Sequence, residues 1–340
     1  MSRDKLILAG VIVLGLLGVM VFQQAKKDEA LGRPAMTATD FPTVSAPDDI
    51  DKLSITNGDK GEVVLQKVPD PKGEATDAGP ATMWVMTKPV NAPANQQAAK
   101  DIVGNLKDIK VESQINLKLD DEVKKEKQLD SAKGVHVVAS KGGAVKADDL
   151  FWKSGTAGQL VIASSKPDTV WAAKGYSAFL YTKEAKDFRD KEVLKFDDDK
   201  ASSIGITNAH GTFAFAKTDK WGGTFDKKPI ARFDAEKVKD FLRAFKGLSA
   251  DDFGDGKTAA DTGLDKPEAT VTITSDGKPY ELLIGKVSTG TNRWAKRATD
   301  DTIYQITNYA SEWGLADSAK FQSTADAGAP DAAAPKGGKK

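Results

Sequence analysis

Hydrophobic and polar residues alternate along two short runs, and this pattern occurs twice in the chain. Each pair of runs flanks a turn that contains glycine, Asn57-Gly58 in the first copy and Gly211 in the second. The runs lie at 53–55 and 63–65, and again at 204–206 and 213–215. Alternation around such a turn is typical of a β-hairpin. The pattern therefore predicts a hairpin at the start of each of two units.

A period of three to four residues follows each hairpin. Apolar residues at positions i, i+3, i+4, i+7 and i+10 share one helical face. They are Ala99, Ile102, Val103, Leu106 and Ile109 in the first copy, and Val238, Phe241, Leu242, Phe245 and Leu248 in the second. Asn95 and Asp234 precede these stripes as N-cap residues. One amphipathic helix is expected in each unit, with its apolar face buried.

Strand patterns return after each helix. They lie at 135–139, 150–152, 160–163 and 170–173 in the first copy, and at 270–274, 280–284, 293–296 and 303–306 in the second. Strands and helices do not alternate, so a parallel sheet of the Rossmann type is not expected. The predicted fold class is α+β, with two tandem units of mainly antiparallel strands.

The order of the elements is the same in both copies. Leu53-Ser54-Ile55-Thr56-Asn57 returns as Ile204-Gly205-Ile206-Thr207-Asn208. The matches are spaced by about the length of one domain, which indicates duplicated domains rather than a solenoid of short repeats. The predicted units span residues 46–187 and 188–318.

An unbroken apolar run extends from Leu6 to Phe22. At about 1.5 Å per residue it forms a helix of roughly 26 Å, long enough to span a bilayer. No small-residue cleavage site follows, so an uncleaved membrane anchor is favoured over a removed signal peptide. Residues 1–5 are predicted to be a cytoplasmic head. The bulk of the chain is predicted to be extracytoplasmic, on a single-pass protein of the inner membrane with its domains in the periplasm.

The segments outside the units differ in composition from the units themselves. Residues 23–45 contain Pro34 and Pro42 among small and polar residues and are predicted to form a flexible linker. Residues 319–340 contain no large apolar residue after Phe321. This segment is predicted to be a disordered tail because it has too little apolar surface to bury.

The composition excludes several classes of function. Lys and Arg total 49 and Asp and Glu also total 49, so the net charge is zero and nucleic-acid binding is not expected. The chain contains no cysteine, which excludes disulfides, thiolate metal sites and a thiol nucleophile.

No residues with the spacing of a catalytic, cofactor or metal site stand out. His136 and His210 are isolated, and Asp197-Asp198-Asp199 is interpreted as a solvated turn. The stretch 251–256 resembles a calcium loop but has Phe253 at its third position, where an oxygen ligand is needed. Residues 285–290 are rich in glycine but lack the nucleotide-binding motifs. We expect no catalytic residue, no cofactor and no metal ligand.

The tryptophans allow two interpretations. Trp84 and Trp221 occupy equivalent positions in the two copies, which favours core packing over ligand stacking. Trp152, Trp171, Trp294 and Trp313 are open to either role, and one of them could line an interface.

The second copy carries a longer series of motifs. They are Phe188-Arg189-Asp190-Lys191, Gly263-Leu264-Asp265-Lys266-Pro267, Leu282-Leu283-Ile284-Gly285-Lys286 and Ile303-Tyr304-Gln305-Ile306. These motifs resemble the domain-of-unknown-function family 4340, whose members are bacterial proteins with an N-terminal membrane anchor. The resemblance covers residues 188–313 well and the first copy weakly. It implies a link to auxiliary components of ABC-type transporters, including those of gliding motility, and it supplies no catalytic residues.

These observations together predict a non-enzymatic, membrane-anchored interaction protein. The expected role is an accessory subunit of an ABC-type transporter or another envelope machine, with membrane-protein partners. The alternative is a binding module for an envelope polysaccharide or another ligand in the cleft between the units. Co-purification after detergent extraction distinguishes the two, because only a subunit brings transporter proteins with it.

Overall fold

The computed structural model describes residues 41–74, 80–115, 119–126, 128–130, 133–152 and 159–323. The chain divides into two compact units. The first unit ends at Glu184, and the second contains the residues from Ala185 onward together with Ala92–Asn95. This division lies three residues before the predicted boundary at 187 and 188.

The first unit is built on a sheet of nine strands. The elements of this sheet and its helices are β1 (Lys52–Asn57), β2 (Gly61–Pro69), β3 (Thr82–Lys88), β4 (Ala92–Pro93, in the short segment grouped with the second unit), α1 (Gln96–Asp108), β5 (Lys110–Ile115), α2 (Asp121–Glu126), β6 (Val135–Lys141), β7 (Ala144–Phe151), β8 (Gln159–Ala163), β9 (Val170–Lys174) and α3 (Ala178–Tyr181). The strand order is β4-β3-β2-β1-β6-β7-β8-β9-β5.

The second unit repeats this architecture. A 3₁₀ turn at Ala185–Phe188 is followed by β10 (Ala201–Asn208), β11 (Gly211–Lys217), β12 (Trp221–Phe225), β13 (Lys228–Pro229), α4 (Ala235–Phe245), β14 (Asp252–Phe253), α5 (Ala259–Thr262), β15 (Ala269–Ser275), β16 (Lys278–Val287), β17 (Arg293–Arg297), β18 (Ile303–Ile306), α6 (Asn308–Gly314) and a 3₁₀ turn at Ser318–Phe321. The strand order is β13-β12-β11-β10-β15-β16-β17-β18-β14, which matches the first sheet strand for strand.

The central strand of each sheet shows why the alternating runs fold as they do. Leu53 and Ile55 on β1 are buried, and β1 pairs with β2 on one side and with β6 on the other, both antiparallel. Strand β10 pairs with β11 and β15 in the same way. Every strand pair with a described register is antiparallel, which confirms the predicted sheet type and the two repeated units.

Helix α4 covers the core of the second unit with the predicted face. Phe241 and Phe245 are 0% exposed, and the side chain of Asp234 accepts a hydrogen bond of 2.9 Å from the Glu236 N–H. Helix α1 buries the corresponding stripe in the first unit. The expectation of a single helix in each unit is incomplete, because the short helix α6 also buries Trp313 against the α4 side of the core.

The packed chain extends beyond the predicted limits of the units. Val44, within the predicted linker, and Phe321, within the predicted tail, are both buried. No helix in the described part of the chain is long and apolar enough to span a membrane. The predicted anchor from Leu6 to Phe22 lies outside the described residues.

Candidate functional site

Each sheet has an equivalent tryptophan on the second strand from one edge. It is Trp84 on β3 in the first unit and Trp221 on β12 in the second. Trp84 pairs with Lys67 across β2 and β3, and Trp221 pairs with Lys217 across β11 and β12. Both tryptophans are buried, which confirms the preference for core packing. The candidate site is built on the main chain of this tryptophan and on the first helical residue of α1 or α4.

The register of β11 and β12 fixes the direction of the Trp221 main chain. The Asp226 N–H donates to the Thr212 carbonyl at 2.8 Å, and the Thr218 N–H donates to the Lys220 carbonyl at 3.2 Å. Hydrogen-bonded pairs alternate with non-hydrogen-bonded pairs in an antiparallel ladder. Thr212 and Asp226 form a hydrogen-bonded pair, and so do Thr218 and Lys220, so the pair of Lys217 and Trp221 between them is not hydrogen-bonded. The Trp221 N–H and C=O therefore point away from β11, to the outer edge of β12.

In the first unit a side chain from the helix occupies this edge. The Trp84 N–H donates to Gln96 Oε1 at 2.8 Å, and Gln96 Nε2 donates to the Trp84 carbonyl at 2.8 Å. Gln96 is the first residue of α1. Its carboxamide makes the two hydrogen bonds that a residue of a neighbouring strand would make, and it joins the helix to the sheet.

In the second unit the same helical position is Ala235, the first residue of α4. A methyl group cannot reach or pair with the Trp221 main chain. A groove of about 530 Å³ lies there between α4, the β11–β12 turn and the loop before β10. It is lined by Asp198, Asp199, Lys217, Asp219, Lys220, Trp221, Ala235, Glu236, Lys239, Leu242 and Arg243.

The groove has an apolar floor and a charged rim. Trp221 and Leu242 form the floor and are 8% and 2% exposed. Glu236 and Lys239 on the rim pair with each other at 2.7 Å. Lys220 and Asp219, in the turn, have no ion pair within the part of the chain that the structure describes. The rim therefore offers charges of both signs to a ligand above a hydrophobic surface.

Burial also perturbs one carboxyl group, at a distinct place in the first unit. Asp149 on β7 is 3% exposed, and its Oδ2 atom has no hydrogen-bond partner in the described structure. Burial, with a smaller contribution from Asp148, raises the pKa of Asp149 to about 7. Asp149 lies opposite Val137 in the first sheet, and Leu282 lies opposite Val271 at the equivalent place in the second. The first unit therefore has a carboxyl group where the second has a core leucine.

The histidines considered in the sequence lie apart. His136 Nε2 lies 2.7 Å from Asp148 Oδ1 on an exposed part of the sheet. His210 lies in the β10–β11 turn, where its N–H donates to Asn208 Oδ1 at 2.8 Å. Across the described ranges, no group of three or more His, Asp or Glu residues is arranged to hold a metal ion.

The two acidic stretches have structural partners. Asp198 pairs with Lys246 at 3.0 Å, and the carbonyl of Asp197 accepts from Ser275 Oγ at 2.6 Å. Asp255, in the stretch that resembles a calcium loop, accepts at 2.8 and 2.7 Å from the buried Arg189, whose guanidinium lies 3.5 Å from the centre of the Phe253 ring. Phe253 thus packs against a cation, and Asp255 neutralises it.

The remaining tryptophans divide by burial. Trp171 and Trp313 are buried, whereas Trp152 and Trp294 are partly exposed. Neither the groove nor Asp149 was identified from the sequence. The groove becomes visible only when Gln96 is aligned with Ala235, and that alignment requires the helix starts and the strand registers of both units.

Fold and site together define a tandemly duplicated α+β protein, in which Gln96 pairs with the Trp84 main chain in the first copy and a groove lies at the equivalent position of the second. The chain belongs to the family described as Domain of unknown function (DUF4340), whose model matches residues 84–267 and 254–325. These matches run through both units, which confirms the resemblance found in the sequence. No curated protein and no solved structure was found to match the chain.

Proposed function

We propose that this protein is a non-enzymatic, membrane-anchored interaction subunit on the extracytoplasmic side of the inner membrane. In this proposal it serves an ABC-type transporter or a related envelope machine, and Leu6 to Phe22 hold it in the bilayer. The membrane anchor and the transporter association rest on the apolar run and on the family context.

The observation that carries the proposal is the difference between the two copies at one helical position. The first copy closes the edge of its own sheet with Gln96, whereas the second has Ala235 and an open groove. In this proposal the first unit, whose Trp84 main chain is already paired, serves as a structural support. The second unit, whose groove is unoccupied by its own side chains, contacts the partner. Buried, hydrophobic floors with charged rims are common where proteins contact partners.

Site-specific photo-crosslinking in intact cells tests the proposal. A photo-reactive amino acid replaces Lys220 on the groove rim, and the matched control carries it at Lys278, an exposed residue outside the groove. We expect the Lys220 probe, and not the Lys278 probe, to form adducts with a transporter permease or another integral membrane protein. The adducts should diminish in an Ala235→Gln background, because the new carboxamide occupies the Trp221 edge of the groove.

Two results would contradict the proposal. Adducts with soluble envelope material alone, or a polysaccharide bound in place of a protein, would favour the binding-module alternative. Release of the chain from membranes by carbonate, with a mature N-terminus near residue 26, would show that the anchor is removed.

A further inference from the structure

We infer that the groove of the second unit binds a peptide group, presented by an extended segment of a partner protein, through the main chain of Trp221. This inference rests on the proposed function and names the chemistry that the interaction would use. The first unit supplies the reason, because its equivalent tryptophan already binds an amide.

Gln96 acts as an internal model of the ligand. Its carboxamide oxygen accepts from the Trp84 N–H and its nitrogen donates to the Trp84 carbonyl, each at 2.8 Å. A residue of an added antiparallel strand offers one carbonyl and one N–H to its partner in the same way. The second unit keeps the tryptophan and its outward main-chain groups but replaces Gln96 with Ala235.

The open edge is short, which limits the ligand. Strand β13 pairs with Thr224 and Phe225, and the Gly223 carbonyl already accepts from the Ile230 N–H at 3.1 Å. In the described structure the Trp221 N–H and C=O have no hydrogen-bond partner, so this pair of groups is available to a ligand on the edge. One residue of the partner thus makes the paired hydrogen bonds, and its neighbours lie along the groove.

The charged rim of the groove determines which residues are favoured on either side of the partner residue that pairs with Trp221. Lys220 and Asp219 stand in the same turn without an ion pair in the described structure, so the rim can meet a side chain of either charge. The floor of the groove, formed by Trp221 and Leu242, is apolar and would contact a small aliphatic side chain more favourably than a polar one. We infer that the preferred segment has a small aliphatic residue flanked by charged ones.

Nuclear magnetic resonance of the full-length protein in detergent micelles tests this inference. The probes are capped tripeptides, N-acetyl-Lys-Val-Glu-N-methylamide and its all-glycine counterpart, with a neutral oligosaccharide for comparison. We expect the Lys-Val-Glu peptide to shift the Trp221 amide resonance in a saturable manner. The all-glycine peptide should bind more weakly, and the oligosaccharide should leave the resonance in place.

Two reciprocal variants provide the controls. Ala235→Gln should weaken peptide binding at Trp221 at least tenfold, because the new side chain competes for the same two groups. Gln96→Ala should create a peptide response at Trp84 in the first unit, where the wild-type protein has none. A gain of binding cannot arise from misfolding, so this variant keeps the inference falsifiable even if Ala235→Gln perturbs the fold.

The inference is overturned if no peptide shifts the Trp221 resonance, if the shift persists unchanged in Ala235→Gln, or if only the oligosaccharide produces it. Failure here is distinct from failure of the proposed function. Membrane-protein adducts at Lys220 without any peptide response at Trp221 would keep the interaction role and place recognition on the charged rim.

Discussion

The two units share one topology but fill it with different cores. The second is packed with aromatic rings, namely Phe213, Phe215, Phe241, Phe245, Trp313 and Phe321. The first has a stack of Phe151, Tyr176 and Tyr181, and it also buries the amide of Asn57 and the carboxyl of Asp149. The same strand order therefore forms from the same pattern of inward-facing positions, although the inward side chains differ between the two copies.

Hydrogen bonding separates the two cores further. In the described structure the side-chain amide of Asn57 and the Tyr176 hydroxyl have no partner. The equivalent of Asn57 is Asn208, whose Nδ2 donates to the Gly314 and Ala316 carbonyls at 2.9 Å each. A buried polar group without a partner destabilises a fold by about 1 to 3 kcal/mol. We therefore expect the first unit to be the less stable of the two.

The largest expected effect tests the aromatic core. Phe245→Ala should lower the unfolding free energy of the second unit by about 3 to 5 kcal/mol, because it removes a fully buried ring and leaves a cavity. Denaturant unfolding measures the loss. The matched control is Lys246→Ala, the next residue, which forms a half-exposed ion pair and should change stability by less than about 1 kcal/mol. Equal stabilities of the two variants would remove α4 from the core.

The polar core should respond to pH. A carboxyl whose folded pKa of about 7 exceeds its ordinary value of 3.8 stabilises the fold fully below pH 3.8, and this stabilisation is lost as the pH rises to 7. The first unit should therefore lose on the order of 4 kcal/mol between pH 4 and pH 7. Asp149→Leu, which copies Leu282, should abolish that loss and stabilise the unit at pH 7.5.

Urea unfolding at pH 4.5 and pH 7.5 measures this difference. Asp168→Asn serves as the control, because Asp168 is an exposed carboxyl of the same unit and its replacement should leave the pH dependence intact. An Asp149→Leu protein with the wild-type pH dependence would show that Asp149 titrates normally.

Local patterns predicted much of the fold. The alternation at Leu53 and Ile55 and the stripe of Phe241 and Phe245 depend on near neighbours, and both were predicted from the sequence. The edge strands β5 and β14 were not predicted, because β14 has only two residues and β5 has no fully buried side chain, so neither shows the alternation of a half-buried strand. The groove could not be predicted from local patterns either, since it arises where one helix start meets one strand edge.

The asparagine found at the equivalent position of both copies, Asn57 and Asn208, allows a direct comparison with a smaller expected effect. Asn208→Ala should destabilise the second unit by about 1 to 3 kcal/mol, because two carbonyls after α6 lose their donor. Asn57→Ala should leave the first unit unchanged or slightly more stable, since its amide has no partner to lose. Thermal unfolding of the two variants measures both effects. A larger loss for Asn57→Ala would mean that the amide is satisfied in solution.

The smallest expected effect concerns the helix start itself. Gln96→Ala removes two hydrogen bonds of 2.8 Å but lets water reach the Trp84 edge, so it should destabilise the first unit by only about 1 kcal/mol. Ala235→Gln should stabilise the second unit by a similar amount if the new carboxamide finds the Trp221 main chain. Gln97→Ala, one position along α1 on an exposed site, controls for helix propensity. Opposite signs for the two exchanges would show that the units differ at this edge by one side chain. Destabilisation by both would mean that the second unit holds its groove open through backbone differences that the exchange does not repair.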